Sequence, residues 1–193
     1  MSLEIRKLDT DKTLMQNVKQ RFFALRNGMT ADTLRRAGST YRIIFGLNVP
    51  QIRQVAEAFG MPNDSLAAEL WANTSTRESR LMAPMLADPS RMSLSDALEW
   101  VATATAQVEE LDMLCHSLLR KSAHVDALIA RLSGEPESHR RYVALRLAFG
   151  RVADDPEGAA DLARAEIDRH DPFTTGLARL LLAEATQIAH ERT

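Results

Sequence analysis

Tyr41-Arg-Ile-Ile-Phe-Gly-Leu-Asn-Val-Pro-Gln-Ile-Arg-Gln-Val-Ala56 is the stretch whose reading decides the fold. Phe45-Gly46 opens a turn, and Pro50 suits the first turn of a helix, where its missing N–H leaves no intrahelical bond unmade. Ile52, Val55, Ala56 and Phe59 follow at spacings of 3, 1 and 3, the apolar face of a helix. A turn therefore feeds a helix, and punctuation of the same kind recurs in both directions.

Upstream, a helix is expected over 11–26, with Leu14, Val18, Phe22 and Leu25 inward and Asn27-Gly28 as its C-cap. A short helix over 30–37 stops at Gly38. Downstream, the signature helix closes at Gly60-Met-Pro62, and Asp64 caps the next. Ser75-Thr-Arg-Glu78 has the form of a capping box, opening a helix that Pro84 should kink. Ser93 with Asp96 repeats the box. Further helices are expected from Gln107, Ser122 and Pro136. Asp155-Pro156 and Asp171-Pro172, each an N-cap carboxylate before an N1 proline, open the last two.

Ten or eleven helices joined by short loops, with alternate starts about 30 to 45 residues apart, fit a solenoid of antiparallel helix pairs. A closed bundle is the rival. No linker or low-complexity stretch divides the chain, so residues 1–193 read as one domain. Hydrophobic residues at 45% and charged residues at 26% are ordinary for a soluble globular protein. The single cysteine, Cys115, excludes an internal disulfide and a cysteine-based zinc site. No apolar run reaches the roughly 20 residues of a membrane span, and Met-Ser-Leu-Glu-Ile-Arg-Lys lacks a signal-peptide core. Cytoplasm is the expected location. The net charge of −2 argues against strong non-specific DNA binding and leaves room for a local basic stripe.

The opening stretch resembles the "Y-G-V-x-V-P-x-L-R" turn of the HEAT-like DNA alkylation repair proteins, a family that includes the AlkD-like alkylpurine DNA glycosylases. Three further stretches share the resemblance. Leu70-Trp71 followed by Ser75-Thr-Arg-Glu-Ser-Arg-Leu81 is similar to "L-W-x-S-x-x-x-E-x-R-L". Val108 to Arg120 falls where members carry a central "N-W-D-x-x-D" helix. Arg140-Arg-Tyr-Val-Ala-Leu-Arg-Leu-Ala-Phe149 resembles the "R-R-x-A-x-x-x-L" helix that follows. The resemblance implies an all-α HEAT-like α-α superhelix. It also implies that Asp112 stands where family glycosylases carry the aspartate that stabilises positive charge on deoxyribose as the alkylated base leaves. The tryptophan four residues earlier is Val108 here, and the C-terminal "I-G-W-A-L-R-E" tryptophan has no counterpart in 175–182. Each lost ring takes away about 0.5 to 2 kcal/mol of contact to a cation. The expectation is a non-catalytic or weakly active relative binding DNA or a protein on a concave face. An active glycosylase using Asp112 and a protein-binding scaffold are the alternatives.

Asp112 has a plain reading too, as a carboxylate near a helix start and four residues before His116. Cys115 and His116 are neighbours about 100° apart on a helix, so they make no nucleophile–base pair, and Cys115 reads as a buried small hydrophobe. The five histidines fit no ligand motif, and no glycine loop cradles phosphate, so neither metal nor cofactor is expected. Arg42, Arg53, Arg77, Arg80, Arg120, Lys121, Arg140 and Arg141 recur near helix ends or in second helices of pairs. Stacked in a solenoid they would form a sparse basic track giving weak, salt-dependent contact with duplex DNA. Solvated pairing with Glu57, Glu69, Glu78 and Glu137 is the other reading.

Overall fold

The computed structural model describes residues 9–192; the N-terminal heptapeptide read above for a signal core lies outside them. The described residues form eleven α-helices and one 3-10 turn. Their contacts group into two compact units, 1–88 and 89–193. The expected all-α architecture of packed helix pairs is what the chain adopts.

The first unit holds α1 (Leu14–Ala24), α2 (Gly28–Arg36), α3 (Val49–Glu57), α4 (Asp64–Ala72) and α5 (Arg77–Leu86). Thr13 starts α1 with a capping box to Gln16, and Val18 and Phe22 are buried. Asn27 does not end α1. Its carboxamide oxygen accepts from Thr30 N at 3.1 Å and starts α2, because an exposed amide donor at a helix start needs an acceptor. Ile52, Val55, Ala56 and Phe59 are all buried, as the spacing of α3 requires. Asn48 and Gln51 form its capping box, one residue ahead of the proline turn.

Glu78 departs from the expected pattern. Thr76, with no side-chain cap bond, is the N-cap of α5, and Glu78 does not fold back on Ser75. Its carboxylate instead accepts the backbone N–H groups of Phe45 at 3.0 Å, Gly46 at 2.9 Å and Leu47 at 3.3 Å. Arg77 Nη1 donates to the same carboxylate at 3.0 Å and to Leu47 O at 2.9 Å. The opening turn is thus a concave row of amides wrapped around one fully buried anion. Ile43 adds a parallel backbone bridge to Thr76.

Gly46 makes that wrap possible. It sits at φ +82°, and a Cβ there would lie 2.1 Å from Asn27 O and 2.8 Å from Ala31 N. Gly46→Ala is expected to cost about 2–4 kcal/mol, combining left-handed backbone strain with overpacking against main chain. A urea unfolding midpoint within experimental error of wild type would show that the turn relaxes freely.

Every residue of α5 is buried, and the helix continues through Pro84 to Leu86. Asn63, not Asp64, caps α4 through Leu66 N. Asp64 accepts from Asp88 N at 2.8 Å instead, tying the start of α4 to the end of α5.

The second unit holds α6 (Leu94–Ala102), α7 (Val108–Ser117), the 3-10 turn Leu119–Lys121, α8 (Val125–Leu132), α9 (Ser138–Arg151), α10 (Pro156–Asp168) and α11 (Thr175–Glu191). The Ser93–Asp96 box and the Asp155–Pro156 start are present as expected. Two starts differ. Ser122 donates to Leu119 O rather than opening α8, and Asp171 closes a turn while α11 begins after Thr174. Asp171 is drawn away by α9, as shown below. Ala159, Ala160 and Ala163 of α10 join Ala178, Leu181 and Ala185 of α11 in one core cluster, small residues letting the two helices approach closely.

Candidate functional site around Asp112

Asp112 lies on α7, past the first turn occupied by Glu109 and Glu110, so helix-end electrostatics do not account for it. Its carboxylate turns towards α9. Tyr142 Oη donates to Oδ1 at 2.9 Å, and Arg146 Nε pairs with the same oxygen at 2.8 Å. Oδ2 has no hydrogen-bond partner among the described residues. The side chains of Asp112 and Arg146 are 38% and 34% exposed, so the pair faces solvent while Tyr142 anchors it from below.

Helical geometry explains the convergence. Tyr142 and Arg146 are four residues apart and share a face of α9, and α7 packs on α9. Tyr142 also packs against Phe173, a half-buried ring in the loop before α11, with centroids 5.4 Å apart and the planes tilted by 59°. Burial first, and the Asp112 charge second, push the Tyr142 phenol well above its ordinary value, so it keeps its proton and remains a donor. Cys115, one turn along α7, is buried and its thiol is pushed up mainly by that burial, with Asp112 adding to it. It is an inert core residue. Val108, one turn before Asp112, is 44% exposed and offers a small apolar surface on the Asp112 side of α7.

The eight basic candidates separate by burial. Arg42, Arg53 and Arg120 are exposed, and their side chains have no hydrogen-bond or ion-pair partner among the described residues. Lys121 is exposed. Arg140 is half-buried and pairs with Glu135 at 2.8 Å and Glu137 at 3.7 Å, the solvated arrangement foreseen as its alternative. Arg77, Arg80 and Arg141 do not belong to a phosphate track. All three are at most 5% exposed, with their guanidinium groups committed inside. Arg77 serves Glu78 and Leu47. Arg80 stacks 3.5 Å from the centroid of the Trp71 ring and donates to Trp71 O. Arg141 holds the α9–α11 network. Burying a cation without such partners would cost several kcal/mol, so these residues keep theirs and are closed to a ligand.

Residues 18–165 match the family described as DNA alkylation repair enzyme. The chain belongs to that family. No protein of curated function and no solved structure matches it. The family match takes in both the Glu78-wrapped turn and the Asp112–Tyr142–Arg146 cluster; Phe173 and α11 lie beyond it. The stretch 175–182, expected from the resemblance to supply a C-terminal ring, lies beyond the matched residues. Phe173 is a ring that no motif announced. Arg146 was equally hidden, although its spacing of four from Tyr142 on the helix expected from Pro136 is a readable signal. Among the described residues, no group of histidine, cysteine and carboxylate side chains is arranged to hold a metal. No helix there is long and apolar enough to cross a membrane.

Proposed function

We propose that this family member binds duplex DNA through the surface around Arg146 and Asp112 and has little or no base-excision activity. The observation that carries the reading is the half-exposed Asp112–Arg146 pair, held from beneath by Tyr142. A guanidinium in that position is a fixed donor for a phosphate oxygen, and phosphate contacts position a protein on DNA without reading sequence. Membership of a DNA alkylation repair family supports a DNA-directed reading. Catalysis is disfavoured on two counts. Arg146 already offsets the charge with which Asp112 would stabilise a cationic sugar, and Val108 supplies no ring face.

One experiment reads both halves of the proposal. Wild type and Asp112→Asn are mixed with methylated duplex DNA, and binding and release of alkylated purines are followed together. The substitution removes a negative charge beside the phosphates and frees Arg146, so affinity should rise about threefold to tenfold at low salt, roughly 1 kcal/mol. Release should stay at background for both proteins. Weaker binding by Asp112→Asn, or wild-type release that the substitution abolishes, would overturn the reading. The second result would favour a weakly active alkylpurine glycosylase, which the open Oδ2 and the Tyr142–Phe173 ring pair support.

A further inference from the structure

A groove of about 360 Å³ opens between α8, α9 and the start of α10. Ile129, Ala130, Ala148, Ala159 and Leu162 line it with hydrocarbon, and Asp126, Asp154 and Asp155 stand among its walls. Arg151 pairs with Asp154 at 2.7 Å and Asp126 at 3.6 Å, leaving the three carboxylates in excess by two charges over the one arginine. Asp126 and Asp154 keep 80% and 66% of their side chains exposed despite that pairing, so both have capacity for another donor. Asp155 is engaged as the N-cap of α10 through Gly158 N.

This wall chemistry repels phosphate, so the groove is no extension of the DNA surface proposed above. Its placement agrees. At 3.6 residues per turn, Ala148 and Arg151 fall on the side of α9 opposite to Tyr142 and Arg146. An apolar trough among carboxylates suits a side chain with a long hydrocarbon stem and a cationic head. The chain supplies one precedent beside it. Arg192, near the end of the described residues, donates to Ala153 O, the residue just before Asp154. That carbonyl is therefore already a guanidinium acceptor.

We propose that the α8–α9–α10 groove is a docking site for an arginine of a partner polypeptide. The stem lies along Ile129, Ala130 and Leu162, and the guanidinium is shared between Asp126 and Asp154. Arginine is favoured over lysine because a planar fork can bond carboxylates and stay weakly hydrated. The site would bring a protein partner to the face away from DNA, and it stands independently of whether DNA binds.

The probe is a fluorescein-labelled peptide, a central arginine flanked by leucines within glycine and serine, with a second version carrying glutamine in place of the arginine. Anisotropy and amide chemical shifts are read on the full chain. The arginine peptide should bind at least tenfold more tightly than the glutamine version, with shifts centred on α8 and the start of α10. The double variant Asp126→Asn/Asp154→Asn should lose at least tenfold. Ala130→Arg, which places a guanidinium in the trough from an exposed position, should block binding independently if the double variant unfolds. Equal binding of the two peptides, or binding unchanged by Ala130→Arg, would overturn the proposal. So would spermidine competing at the same concentration as the peptide, which would mark a small-cation site.

Discussion

Replacing Glu78 by alanine is expected to lower the unfolding free energy by about 3–5 kcal/mol, the range for removing one partner of a buried ion pair. Four donors converge on this carboxylate, three of them main-chain amides of the 45–47 turn and one the Arg77 guanidinium. Without it the amides face a cavity with no acceptor, each adding a desolvation penalty of about 1–3 kcal/mol unless water enters. Arg77 loses its counter-charge at the same time, while its bond to Leu47 O remains. Glu78→Gln separates shape from charge. Its carboxamide oxygen can accept some of the amides, but its NH2 group meets donors on the other side, so most of the loss should persist. Urea unfolding followed by circular dichroism measures both variants. A loss under 1 kcal/mol for Glu78→Gln would show that the charge is dispensable.

An equal effect, about 3–5 kcal/mol, is expected for Arg141→Ala in the second unit. Arg141 Nε donates to both oxygens of Glu166 at 3.0 and 3.1 Å. Its Nη1 donates to Glu135 O and Pro136 O, and its Nη2 to Asp171 at 2.5 Å. One side chain therefore ties α9 to the end of α10 and to the turn that opens α11. Its removal strands the buried Glu166, which would keep Thr174 and the half-exposed Arg169 as donors. The network has an acid limit. The Ser138 hydroxyl first, then the Phe173 amide and Arg141, hold Asp171 below its ordinary value of 3.8. Its contribution is complete above that ordinary value and is lost as pH falls through the lowered one. Arg141→Ala should therefore lower the plateau and flatten the fall in stability below about pH 4 only in part, because Ser138 and the Phe173 amide still hold Asp171. Parallel acid profiles for variant and wild type would contradict this coupling.

Glu78 and the buried Arg77, Arg80 and Arg141 show where sequence reading stops. Helix starts set by neighbours within four residues are legible: Pro50, the Ser93–Asp96 box and Asp155–Pro156 stand as their local chemistry requires. The apolar face of α3 is legible for the same reason. Ser75-Thr-Arg-Glu78 has an equally good local pattern, yet Glu78 bonds to residues more than 30 positions away, where three amides outcompete one. Nothing within a turn of Arg141 distinguishes it from Arg140, which is half exposed beside its glutamates. The difference comes from Glu166 and Asp171, 25 and 30 residues downstream. Asp112 could be named from its motif, but its orientation could not, because Tyr142 and Arg146 reach it across a helix interface.

The same contrast sharpens the meaning of the opening stretch. Its glycine turn and the Ser75–Leu81 motif are two halves of one buried contact, joined through Glu78. The surface chemistry proposed for DNA lies elsewhere, on α7 and α9.

Duplex DNA binding titrated against salt, for wild type and Arg146→Gln, tests that proposal most directly. A few phosphate contacts predict a log–log slope of about −2 to −4 for wild type. Loss of one should weaken binding about tenfold and reduce the slope by about 1. No binding at low salt, a flat salt response, or identical curves for the two proteins would contradict the assignment of this surface to DNA.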